Sequence, residues 1–103
     1  MARVDRIKRK YPTPVKGIAG NYRKGFYCIG GAYCQFYGFK TQFPDIRKLA
    51  NIIFQTRDIG KNYDKAKKFA RIIIEENDTG KFRDAWDALE EVMRYPLENK
   101  FKH

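Results

Sequence analysis

Few residues in this chain have the chemistry to be reactive. There are two thiols, Cys28 and Cys34, and one histidine, His103, which is the last residue. Three carboxylates, Asp84, Asp87 and Glu91, follow one another at helical spacing. A thiol becomes a nucleophile when a base or a positive environment makes it a thiolate, and neither cysteine has a histidine to pair with. Two cysteines with no companion ligands fall short of the four that a structural zinc site needs. Carboxylates three and four positions apart share one exposed helical face, where they solvate rather than act as an acid–base pair. Gly30-Gly31 lacks both the strand-to-helix context and the downstream Lys-Ser/Thr of a phosphate-cradling loop. The expectation is no catalysis, no cofactor and no bound metal.

Binding chemistry is better supplied. The formal net charge is +10, and it is unevenly spread. Residues 1–24 carry eight Lys or Arg against the single Asp5, whereas residues 61–103 carry ten against nine. Arg6, Lys8, Arg9 and Lys10, followed by Lys16, Arg23 and Lys24, read as a basic arm suited to a phosphate backbone. Tyr22, Tyr33 and Tyr37 are candidate stacking groups for bases, because a phenol tolerates exposure. Lys65, Lys68 and Arg71 add a basic helical face later in the chain. Lys24-Gly25-Phe26-Tyr27-Cys28-Ile29 starts like an RNA-recognition strand, but Tyr27 and Cys28 stand where a small residue and a stacking aromatic belong. That family is rejected. A helix-turn-helix reading is disfavoured too, since the last helix bears Asp84, Asp87, Glu90 and Glu91, which phosphate would repel.

The elements that would position these groups come from periodicity. Ile52-Ile53-Phe54-Gln55-Thr56-Arg57-Asp58-Ile59-Gly60-Lys61 is echoed by Ile72-Ile73-Ile74-Glu75-Glu76-Asn77-Asp78-Thr79-Gly80-Lys81. Each copy reads as an apolar helix end followed by an Asp-x-Gly-Lys exit, with Gly able to take the left-handed conformation. Three consecutive helices are therefore predicted, over about 44–57, 62–77 and 81–94. Glu90 and Arg94 are spaced for an ion pair on the last of them. Ahead of them the aromatic run Tyr22, Phe26, Tyr27, Tyr33, Phe36, Tyr37 and Phe39, split by Gly30-Gly31, predicts a β-hairpin over about 22–39. In that hairpin Cys28 and Cys34 would point to opposite faces and remain free thiols.

The expected fold is thus α+β: an aromatic hairpin packed on three helices over 21–95. A basic arm over 1–20, disordered or laid on phosphate, precedes it, and a short tail over 96–103 follows. No apolar run is long enough to span a membrane, and two cysteines without an apolar leader suggest a reducing, cytoplasmic compartment, the host cytoplasm if the chain is phage-encoded. The expected function is non-enzymatic binding of nucleic acid, DNA or RNA, or of a protein in a nucleic-acid machine. The alternative is a protein-interaction module, an inhibitor or adaptor of bacterial or phage type, with tyrosine anchors.

Overall fold

The computed structural model describes residues 4–12, 14 and 27–101. Among the described residues five α-helices follow one another: α1 (Asp5–Lys10), α2 (Ile29–Phe36), α3 (Ile46–Thr56), α4 (Tyr63–Asp78) and α5 (Phe82–Met93), with a 3-10 turn at Asn99–Phe101. No strand is present among the described residues; the only bridges are isolated ones, Pro14 with Tyr27 and Arg57 with Leu97. The fold is all-α, and the expected α+β class and β-hairpin are corrected.

The three later helices lie where their periodicity put them, with adjusted ends. Asp45 is the N-cap of α3 rather than part of its first turn, its carboxylate accepting from the Lys48 N–H at 2.7 Å. Asn62 caps α4 in the same way through the Lys65 N–H at 3.2 Å. Glu91, rather than Glu90, pairs with Arg94, at 3.1 Å. The α4 exit is a Schellman motif. Gly80 sits at φ 79°, its N–H bonds to Asn77 O, and the Lys81 N–H reaches Glu76 O at 2.8 Å.

The sequence echo is only half a structural echo. Gly60 and Gly80 both take positive φ, 66° and 79°. The first copy, however, leaves its helix at Thr56, and Arg57 runs extended to meet Leu97, while its counterpart Asn77 is still helical. The Asp58 N–H donates to Pro96 O and the Glu98 N–H to Thr56 O, each at 2.8 Å, so the C-terminal segment is fastened at this exit.

The predicted hairpin is instead the short helix α2, and two contacts explain why. The Ile29 N–H is taken by the buried Asn77 carboxamide oxygen at 2.9 Å, and the Gly31 N–H by Cys28 Sγ at 3.2 Å, so two orphan donors of a helix start are satisfied. Glycine inside a helix costs about 1 kcal/mol relative to alanine. Here the absence of a side chain lets α2 lie flush on the segment leading into α3: a Cβ on Gly31 would stand 1.6 Å from Gln42 O, and one on Gly30 would stand 2.9 Å from Leu49 Cδ2. The helix is buried along its length from Ile29 to Cys34.

The described part of the basic N-terminal stretch is tied to this body. Val4 and Ile7 are 2% and 0% exposed and belong to the core with Ile29, Tyr33, Leu49, Ile53, Ile73 and Leu89. Lys8 Nζ lies 5.5 Å above the Trp86 ring, and Tyr11 meets Tyr27 edge to face at 4.7 Å. The basic side chains of α1 are therefore carried on a helix whose other side is core.

Two substitutions check this architecture by denaturant unfolding. Gly31→Ala should cost about 3 kcal/mol or more, because backbone must move to admit the methyl group. Ile7→Ala should cost about 2–5 kcal/mol. A cost near zero for Ile7→Ala would mean that α1 is a detached arm after all.

Candidate functional site

A recessed surface lies where α2 begins, α3 begins and α4 ends. Pro44 and Asp45 bring the chain into α3, and Cys28 and Asn77 hold the start of α2. Between them a groove of about 600 Å³ is bounded by Phe43, Pro44, Ile46 and Ile74, with Asp45, Arg47 and Asp78 at its sides and Cys28 and Asn77 completing the lining. An apolar recess of this size with a few charged groups around it is the usual form of a binding site.

Cys28 is the reactive group type nearest the groove, and its environment disarms it. Its Sγ donates to Gln42 O at 3.4 Å while accepting from Gly31 N–H. Burial pushes the thiol up to about 11, against the smaller opposing effect of the Gly31 hydrogen bond. Burial likewise pushes Cys34 up to about 12, with the nearby Cys28 adding to the effect. Both are free thiols. No group of three or more His, Cys, Asp or Glu side chains suited to a metal ion occurs among the described residues.

A second centre lies around Arg57, whose side chain is 4% exposed. Thr56 Oγ1 donates to Ile52 O at 2.8 Å, which leaves the Tyr33 hydroxyl to donate to Thr56 Oγ1 at 2.7 Å. Arg57 Nε then donates to Tyr33 Oη at 3.1 Å, Nη1 to Tyr95 O at 3.0 Å and Met93 O at 3.4 Å, and Nη2 to Tyr37 Oη. The guanidinium also lies 6.0 Å from the Tyr33 ring and 5.3 Å from the Tyr37 ring. Burial pushes Tyr33 up to about 12, opposed by the Arg57 charge. Sequence reasoning missed Arg57; its position in the first Asp-x-Gly-Lys exit, where the second copy has a neutral Asn77, was the available signal.

The residues expected to bind nucleic acid are dispersed. Arg6, Lys8, Arg9 and Lys10 are exposed on α1, and Lys65, Lys68 and Arg71 are exposed on α4. None of Arg6, Lys8, Lys10, Lys65, Lys68 and Arg71 forms an ion pair with a carboxylate among the described residues. Lys16, Tyr22, Arg23 and Lys24 lie outside the described residues. Tyr33 is fully buried, which removes that ring as a stacking group; Tyr37 is partly buried with its hydroxyl on Arg57. No described helix is long and apolar enough to cross a membrane. Comparison with protein-family models, curated proteins and solved structures finds no match to this chain.

Two measurements test the chemistry of these centres. A thiol reagent at pH 8 should modify Cys28 and Cys34 slowly in the folded protein and rapidly in denaturant. Both thiols ionise near 9 when unconstrained, so the unfolded chain loses those protons first; stability should be level below pH 9 and fall as pH rises toward 11–12. Tyr33→Phe, which leaves the buried Arg57 Nε–H without its acceptor, should cost about 1–3 kcal/mol with helix content unchanged in circular dichroism.

Proposed function

We propose that this protein is a non-enzymatic docking module that engages a partner protein through the groove between the starts of α2 and α3 and the end of α4. The observation that carries this reading is the groove itself: apolar walls from Phe43, Pro44, Ile46 and Ile74, with both signs of charge beside them in Arg47, Asp45 and Asp78. An apolar centre with a polar surround is the anatomy of a protein interface, where anchor side chains of the partner are desolvated. The lining is held by capping bonds to Asp45 and Asn77 and by the close seat of Gly31 on Gln42, which favours a preorganised surface. A non-enzymatic role is supported by thiols held protonated in the interior. Two free thiols also fit a reducing, cytoplasmic compartment.

The test is capture from native cell extract with the tagged full chain, with and without nuclease, alongside Ile74→Glu and an Arg6→Gln, Lys8→Gln, Lys10→Gln triple variant. The expected result is a defined protein partner that survives nuclease, is retained by the triple variant and falls about tenfold or more with Ile74→Glu. Capture that is lost with nuclease and with the triple variant, but indifferent to Ile74→Glu, would overturn the groove reading and point to nucleic acid.

A further inference from the structure

We propose that Tyr37 and Arg57 form a binding site for an oxyanion, a small ligand presenting a carboxylate or phosphate group. The site shares no residue with the groove and stands on separate observations. Arg57 is 4% exposed, yet no carboxylate of the described residues pairs with it; its acceptors are two carbonyls and two phenols, all neutral. A buried cation is ordinarily matched by a buried anion, because dipoles alone leave most of the desolvation cost uncompensated.

The donor inventory shows what is left over. A guanidinium has five N–H groups. One from Nε and one from Nη2 go to Tyr33 and Tyr37, and Nη1 serves the carbonyls of Met93 and Tyr95. One Nη2–H remains. Tyr37 accepts from Arg57, and its own O–H has no acceptor among the described residues. Those two donors sit on hydrogen-bonded partners, of which Tyr37 is partly exposed. Arg6, exposed on α1, is close enough that its charge, with that of Arg57, opposes the upward push that burial gives the Tyr37 hydroxyl. Phe36 and Phe101 stand edge-on to the Tyr37 ring at 5.2 and 6.3 Å and give the site apolar walls. One ligand oxygen would accept from Tyr37 O–H and the spare Nη2–H, with the positive charge of the exposed Arg6 adding to the attraction. Charge-assisted bonds of this kind are the stronger class.

The experiment titrates the isotopically labelled full chain with inorganic phosphate and, separately, with acetate. Ionic strength is held constant with sodium chloride, and the Arg57 Nε–H and the Tyr37 ring are followed by NMR. Saturable shifts centred on Tyr37 and Arg57, absent with chloride alone, are expected; saturation by phosphate only assigns a phosphate group, and by acetate a carboxylate. Tyr37→Phe keeps the ring but removes the donor, and should weaken binding about tenfold. Arg6→Gln, at an exposed position that leaves the core intact, should weaken it about fivefold or more. No saturable shift with either anion, or affinities unchanged in both variants, would overturn the proposal.

Discussion

Arg57 brings a full positive charge to the place where α3 ends, and the chain is arranged to accommodate it. Its guanidinium draws on α2 through Tyr33 and Tyr37 and on the segment after α5 through the Met93 and Tyr95 carbonyls. Thr56, one residue earlier, extends the same chain of donors back into α3 through Ile52 O. Every step has a direction, from guanidinium to phenol to hydroxyl to carbonyl, so the polar groups are satisfied together or not at all. No buried side-chain nitrogen or oxygen among the described residues is left without a partner. Hydrophobic packing alone tolerates small slides between helices; a directional network across three segments does not.

The same constraint fixes the far end of the molecule. Because Arg57 leaves its helix in extended conformation, Thr56 O and the Asp58 N–H become available to Glu98 and Pro96, and the C-terminal segment is laid across the α3 exit. Phe101 thereby reaches Tyr37 and Phe39, enclosing the aromatic side of the cluster. On the opposite side of α2, Asn77 performs the corresponding task with a neutral carboxamide, capping the helix start that borders the groove. The two copies of the sequence echo thus supply the two polar anchors of α2, one cationic and one neutral, from helices that end differently. Groove and oxyanion site lie at the two ends of that one short helix.

The basic charge is carried in a correspondingly ordered way. On α1 it is displayed by a helix seated on the core through Val4 and Ile7. On α4 the basic residues occupy the early turns of the outer face, against the preference of the helix dipole. That arrangement is affordable on an exposed face, where each charge costs only a few tenths of a kcal/mol to about 1 kcal/mol.

Helical spacing of apolar residues was enough to read α3, α4 and α5 from the chain alone, since a half-exposed helix writes its period into the sequence. The turn glycines, Gly60 and Gly80, were legible for the same local reason: left-handed backbone needs them. Short α2 was not legible. Buried from Ile29 to Cys34, it has no solvent face to generate a period, and Gly30-Gly31 reads as a turn until Gln42 and Leu49 are seen pressed against it. The same holds for the tyrosines: a phenol suits a surface or an interior, and only the arrival of Arg57 from a residue 24 positions from Tyr33 put that ring inside. Local propensity determined the helices that meet water; long-range contact decided which residues the core would take, because burial is a property of neighbours that the sequence does not list in order.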